Sequence, residues 1–389
     1  MSDVADRHGA RVVWTAFVVA VFGWGVGFYG PAVYLQVLHQ TRGWSLSVLS
    51  AAITAHYLVS AVLIVALPDA YRRFGMVRVT VVGTLLGAAG SIAWGSAQQT
   101  WQLVPALLLS GAGWAAMSGA ALNAMVSPWF ERDRPKALNM AFNGASVGGI
   151  VFVPLWMALA GRFGLAPAAF VVSVAMVAIV CPLACRILRR QPAVAVSRMQ
   201  PLPRIALLRQ PRFLTISLAF ALGLFAQIGL FAHLIARLEP VLGSGLAAGA
   251  ISLITVCAVM GRTLLGKFLG EHDRRLVAAG SLLMQTAGSL LLALGEGSVS
   301  LTAGCILFGS GVGNLVSLPP LIAQREFRLA DVGTAVALVT AVNQAVFAFA
   351  PAIFGGLRDL TGSYVVSFLM AAAFQALAAA IVVWGRRFS

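Results

Sequence analysis

Arg262 is the one formally charged side chain that falls well inside a long apolar run of this 389-residue chain, in "ITVCAVMGRTLLGKF". A charge placed in hydrocarbon costs ~3 kcal/mol even on insertion scales, so something must offset it. A planar guanidinium is suited to gripping a carboxylate or similar oxyanion through two parallel N–H bonds. Two other readings fit the same residue. Its side chain can snorkel past Lys267 toward water ~7 Å further along a helix. It can also donate to carbonyls at a helix end.

The acids decide which chemistry is excluded. Asp3, Asp6, Asp69, Glu131, Asp133, Glu239, Glu271, Asp273, Glu296, Glu326, Asp331 and Asp359 sit near the termini, in loops or at the ends of apolar runs. No carboxylate is expected to carry a proton across hydrocarbon, and a cationic substrate is disfavoured. A coupled proton would travel on the substrate or on histidine. His56 and His233 are the coupling candidates, because imidazole titrates near neutral pH. A neutral interhelical hydrogen bond accounts for either ring as well.

The remaining polar groups in apolar runs are hydroxyls and amides. Tyr29 and Tyr34 lie beside Gly25, Gly27, Gly30 and Pro31, where a loosened helix lets a ligand approach the backbone. Their hydroxyls could complete a carboxylate site; packing and an interfacial aromatic belt explain them equally. Asn123, Gln227, His233, Asn314 and Asn343 are candidate substrate ligands with Arg262. Amides also fasten membrane helices to each other. There is no phosphate-binding glycine loop, zinc spacing or nucleophile elbow, so no enzyme, cofactor or metal site is expected. Cys181, Cys185, Cys257 and Cys305 all lie in apolar runs and are expected as free thiols.

The elements that must position these groups are long. The chain is 60% hydrophobic and 10% charged, with a mean hydropathy of +0.90. No water-soluble domain hides that much apolar surface. Twelve runs of membrane-spanning length are expected, near 12–38, 46–68, 77–97, 101–127, 137–161, 166–187, 213–238, 246–269, 275–295, 299–324, 331–356 and 363–385. The net charge of +15 is distributed by loop: of 27 Lys and Arg, 22 fall in one set of alternate loops and termini and four in the other. The rich side is expected to be cytoplasmic, with both termini there and the chain in a cytoplasmic (inner) membrane. This pattern excludes a nucleic-acid partner as the reason for the charge.

The connection 188–212 holds Pro192, Pro201, Pro203 and Pro211 among arginines. Proline and charge keep it out of helix and in water. It separates an N-terminal six-helix bundle, 1–187, from a C-terminal one, 213–389. "RRFGMVRV" from Arg72 has a counterpart in "GKFLGEHDRRL" from Gly266. "WFERDRPKALNMAFNGASVGG" from Trp129 has one in "REFRLADVGTAVALVTAVNQ" from Arg325. Both pairs are offset by roughly 195–200 residues, as a duplicated six-helix unit would be.

These loops resemble the major facilitator superfamily over essentially the whole chain. The family's loop signature, G-x-L-x-D-R-x-G-R-R, is degenerate in both copies: Arg72 and Gly270 stand where its aspartates belong. The resemblance implies an all-α membrane protein of twelve transmembrane helices in two pseudo-symmetric six-helix bundles. "GWSLSVLSAAITAHYL" from Gly43, the stretch from Trp129 and "VMGRTLLGKFLG" from Val259 resemble the monocarboxylate and oxalate/formate transporter branch. There an arginine of the eighth span binds the substrate carboxylate, and Arg262 is the matching position. The lysine of oxalate/formate exchangers in the eleventh span has no match in Val342, Asn343 and Gln344. The aspartate of animal carriers, one turn before the arginine, is replaced by Ala258.

The resemblance implies secondary transport of a small organic anion, a monocarboxylate above all, by a functional monomer in the lipid bilayer, with protons as candidate coupling partners. An efflux transporter for apolar or zwitterionic compounds and a non-transporting receptor are the other readings. The charge bias makes one direct prediction. A cysteine at Ser197, in an otherwise cysteine-free protein, should resist a membrane-impermeant thiol reagent outside intact cells and react in lysed ones; labelling from outside overturns the topology.

Overall fold

In hydrocarbon, backbone N–H and C=O groups must be satisfied within the chain, which leaves helices as the form for runs of this kind. The computed structural model describes residues 2–130, 133–190 and 201–388. Among the described residues there is no strand. Twelve helical segments are long and apolar enough to cross a membrane: His8–Arg42, Leu46–Phe74, Met76–Ser96, Thr100–Trp129, Arg134–Phe163, Leu165–Ile187, Pro211–Gly243, Gly249–Phe268, Arg274–Leu294, Ser298–Glu326, Leu329–Thr361 and Tyr364–Phe388. They are numbered spans 1 to 12 in chain order. Several run past the expected apolar limits; span 1 continues to Arg42 and span 7 to Gly243.

The chain divides into two compact units, Met1–Arg198 and Met199–Ser389, with six spans each. Residues 191–200 of the connection, with Pro192, Ser197 and Arg198, lie outside the described residues, as do Glu131 and Arg132 between spans 4 and 5. The end of the connection is structured. Arg204–Leu208 forms a short helix, and the Leu202 amide donates to Asp331 Oδ1 at 2.7 Å.

Spans 1, 4, 10 and 11 are broken near mid-length; span 11 consists of Leu329–Phe347 and Ala350–Thr361. Span 1 passes through a π-helical turn at Gly23–Phe28 and resumes as α-helix at Gly30. Span 4 consists of Leu103–Ala115 and Gly119–Val126, and span 10 of Ser298–Val312 and Asn314–Glu326. Met117 and Gly313, in the breaks of spans 4 and 10, are 196 residues apart, the same offset that separates Trp129 from Arg325. The duplication thus extends to the position of a helix break. Span 7 has no counterpart of the span 1 turn and stays helical from Pro211 up to Gly243, whose φ of 77° ends it.

One end of the C-terminal unit is locked by Arg275, which is 1% exposed. Its Nε and Nη2 donate to Glu326 Oε1 and Oε2 at 2.6 and 2.7 Å. Its Nη1 donates to Thr215 Oγ1 at 3.1 Å and Val382 O at 3.3 Å, and Nη2 also to Arg212 O at 3.3 Å. All five donors of the guanidinium are therefore placed, tying spans 7, 9, 10 and 12 together. Asp273 caps span 9, accepting from the Arg275 and Leu276 amides, and pairs with Arg386 Nε at 2.6 Å. Partial burial works against its charge, but these donors, Arg386 first, hold its carboxyl below the usual carboxylate range.

Removing one partner of a buried pair leaves the other as an uncompensated charge. Glu326→Gln is expected to destabilise the protein by about 3–5 kcal/mol. Glu271→Gln, at the exposed pair with Arg325, should cost about 0–1 kcal/mol. Melting temperatures of both purified variants in one detergent check this; equal shifts would contradict it.

Candidate functional site

Span 8 lies against span 10 through glycines. A Cβ on Gly261 would stand 2.2 Å from Ser310 O, and one on Gly309 would stand 2.9 Å from Ile254 Cα. Small residues let two membrane helices approach this closely. The approach delivers Arg262 to the break in span 10, where its Nε donates to Gly313 O at 3.0 Å. Gly313 is fifteen residues after Ser298 and thirteen before Glu326, at the middle of its span. Arg262 is 3% exposed. The guanidinium is therefore turned to mid-span and does not snorkel past Lys267. The carbonyl it reaches belongs to the N-cap of the second half of span 10, at a helix end, as the second alternative reading of this residue anticipated.

The other residues expected near a substrate are distributed as follows. Asn314 follows Gly313, but its Nδ2 donates to Ser281 Oγ on span 9 at 3.0 Å, fastening two spans. Gln227 on span 7 and Asn343 on span 11 are 5% and 4% exposed, and the side-chain oxygen of each is buried without a hydrogen-bond partner among the described residues. His233, half-buried near the far end of span 7, donates from Nε2 to Pro351 O on span 11 at 3.0 Å. Its ring centroid is 5.5 Å from that of Tyr364.

In the N-terminal unit the candidates secure the broken first span. The π-helical turn leaves carbonyls without helical partners, and side chains supply the donors. Trp156 Nε1 donates to Gly25 O at 3.1 Å, His56 Nε2 to Gly27 O at 3.0 Å and the Tyr57 hydroxyl to Phe28 O at 3.0 Å. A carbonyl only accepts, so His56 carries its hydrogen on Nε2. Its Nδ1 then accepts from the Ser110 hydroxyl at 2.8 Å, and that oxygen accepts from Trp94 Nε1 at 3.0 Å. His56 is fully buried and satisfied as a neutral ring. Tyr34 is 1% exposed, with its hydroxyl 2.8 Å from Ser91 Oγ and its ring on Trp94 and Trp156. Asn123 accepts from the Ser127 hydroxyl at 2.7 Å. Tyr29 is half-buried, and its ring lies where a Cβ on Gly149 would fall, at 2.7 Å. No group of three or more potential metal ligands occurs among the described residues, and the cysteines are free thiols.

The reading of single residues missed Gly313, Ser110, Trp94 and Ser91. Only the run "FGSGVGN" from Phe308, with glycine at alternate positions, signalled a weak point in span 10.

The sequence pattern of the Major Facilitator Superfamily matches residues 13–351. The chain belongs to this superfamily. Its members are membrane transporters and not enzymes. Two similar relatives within it are "Monocarboxylate transporter 13" of Bos taurus, 28% identical over 310 residues, and that of Rattus norvegicus, 27% identical over 303. The matches cover 78% and 76% of this chain, and 72% and 70% of those proteins. The fold is shared with the E. coli fucose:proton symporter FucP, at a TM-score of 0.73 and 18% identity over 97% of this chain and 99% of that one. It is shared too with the human organic anion transporter MFSD10 (TETRAN), at 0.71 and 15% over 96% and 99%. This superfamily member is thus a multi-pass transporter whose resemblance runs to the monocarboxylate branch.

A Cβ on Gly313 would stand 2.7 Å from Ala258 O and 2.9 Å from Arg262 Nη2. Gly313→Ala must therefore push the guanidinium or part the spans, and should cost about 1–3 kcal/mol. Gly280→Ala, whose Cβ meets open space, should leave the melting temperature within error; an equal drop for both variants counts against close packing at Gly313.

Proposed function

We propose that this transporter moves a small organic anion bearing one carboxylate, by alternating access, with Arg262 as the group that grips it. The observation that carries this reading is a guanidinium buried at the middle of span 10, in a chain with no carboxylate deep in any span. The bond from Nε to Gly313 O orients the plane of the fork. A carboxylate that approaches such a fork gains charge-assisted bonds in a medium of low dielectric, where they are strong. One cation suits one carboxylate; the eleventh span lacks the second cation that a dicarboxylate would call for. The name of the relatives, a monocarboxylate transporter, points the same way.

Gln227 and Asn343 extend the reading. Each holds a buried amide oxygen without a partner among the described residues, suited to a hydroxyl elsewhere on the substrate. Asn314 is bonded to Ser281 within the C-terminal unit, and Asn123, Tyr29 and Tyr34 make their contacts within the N-terminal unit. His56 is committed to the Gly27 carbonyl, which leaves His233 as the histidine candidate for coupling. A proton carried on the substrate as the neutral acid needs no protein group. The arginine-rich loops and both termini face the cytoplasm of an inner membrane, and the monomer is the working unit.

Uptake by the reconstituted protein tests this, with melting temperature as the control for folding. Arg262→Gln should abolish carboxylate uptake while the protein stays folded. Arg262→Lys keeps the charge but loses the fork; forfeiting one charge-assisted bond, ~1.5–3 kcal/mol, should weaken apparent affinity about ten-fold or more. Normal carboxylate uptake by a well-folded Arg262→Gln protein removes Arg262 from the mechanism. Transport of only apolar or zwitterionic compounds by the unsubstituted protein would replace the reading with that of an efflux transporter for such compounds.

A further inference from the structure

The outward face of spans 9 and 12 carries a groove of about 850 Å³. Its floor is made by small residues, among them Ala376 and Ala380, and its walls by Leu283, Val383 and Trp384. Leu283 is 54% and Trp384 51% exposed. On a membrane-spanning face such a surface is bathed in acyl chains, so the bilayer supplies the occupant of its apolar length. What the groove does not share with the rest of the lipid-facing surface is its end. There Asp273, Arg386 and Arg387 close it. Arg386 is neutralised by Asp273, Nε to Oδ2 at 2.6 Å. Arg387 is exposed and has no ion pair among the described residues. Trp384 and Phe388 meet edge to face beside it, with centroids 5.2 Å apart, as aromatic side chains do at the membrane–water boundary.

We propose that this groove is a binding site for one anionic phospholipid, with an acyl chain along Leu283, Ala380 and Val383 and the phosphate on Arg387. The charge count favours an anionic headgroup. A zwitterionic lipid brings its own cation to a site that already holds two arginines against one aspartate. An anionic lipid leaves the site close to neutral. The site lies wholly within the C-terminal unit, on the surface opposite in character to the polar residues around Arg262, and does not depend on what the protein transports. Its position at the junction of Asp273 and Arg386 makes it a place where lipid composition reaches the cap of span 9.

Native mass spectrometry of the full-length protein, titrated with phosphatidylglycerol and with phosphatidylcholine of the same acyl chains, tests the proposal. One phosphatidylglycerol should be retained in preference to phosphatidylcholine. Arg387→Gln should weaken that retention about five-fold, the contribution of one arginine near an anionic surface. Ala380→Trp, which fills the groove from an exposed position, should weaken it too, without a change in melting temperature. Inorganic phosphate at matching concentration should neither bind detectably nor compete. Equal retention of the two lipids, or retention that both substitutions leave unchanged, overturns the proposal. So does a dimer that excludes lipid and is lost in Ala380→Trp, since the groove would then be covered by a second copy of the chain.

Discussion

A backbone carbonyl freed inside hydrocarbon has to find a donor, and the polar architecture of this transporter follows from that constraint. An unbroken helix satisfies its own carbonyls. Spans 1 and 10 are not unbroken, and each needs donors from its neighbours. Span 1 draws them from an indole, an imidazole and a phenol, on Gly25, Gly27 and Phe28. At the break in span 10 a guanidinium donates to Gly313 O, the N-cap carbonyl of the second half. A carbonyl left without a partner in a buried place costs about 1–3 kcal/mol, so these side chains are held in place by the breaks as much as they hold them.

This bears on which polar residues remain for a substrate. His56 has both ring nitrogens engaged in one chain from Trp94 through Ser110 to Gly27. Protonating it would put a second donor against the Ser110 oxygen and a charge where no counter-ion is bonded to it. Arg262 is held in a different way. A guanidinium has five donors, and the bond from Nε, the atom nearest the stem, to Gly313 O is one of its contacts. Bonding there fixes the plane in which the outer donors lie. The two explanations of Arg262, a clamp and a cap, are therefore compatible: the cap sets the angle that a clamp requires. A lysine could cap the same carbonyl, but its three donors share one nitrogen and no plane, so capping alone does not account for an arginine.

The span count and the division into two sets of six followed from hydropathy and from the alternation of arginine-rich loops, both carried by many residues at once. Arg262 stood out because it is one charge in an apolar run, although snorkelling and a bond to a helix-end carbonyl fitted the sequence as well as a substrate clamp did. The role of Gly313 was not legible. A glycine in a membrane helix signals close packing, a kink or a break, and only the partner across the interface decides which. Tyr34 read as a candidate ligand and His56 as a coupling candidate because residue type fixes what a side chain can donate or accept, while its partner, Ser91 or Gly27, comes from a different span with no local trace in sequence. The Arg275–Glu326 pair was hidden for the same reason, since its members are 51 residues apart and each looks like an ordinary loop charge. The degenerate loop signature, with Gly270 in place of an aspartate, gave no hint that the arginine five residues later is the most fully bonded one in its unit.

The balance of basic residues carries the same constraint out to the span ends. Of the 27 basic side chains, only Lys136 and Lys267 are lysine. Topology alone does not call for that bias, because either cation orients a loop. Backbone capping does. Arg134 Nε lies 3.1 and 2.6 Å from the Ser127 and Phe130 carbonyls, and Arg237 Nη2 lies 3.4 and 2.7 Å from those of Ala293 and Gly295. Arg212 donates to Glu326 O, and Arg274 to Leu321 O. The bonds of Arg212 and Arg237 place a cation on carbonyls at the negative end of a helix dipole, which is favourable in itself. A guanidinium spans two such carbonyls with its fixed geometry, and it is more weakly hydrated than an ammonium, so it gives up less on leaving water. Part of the excess of +15 thus also serves as a supply of donors for backbone carbonyls at the span ends.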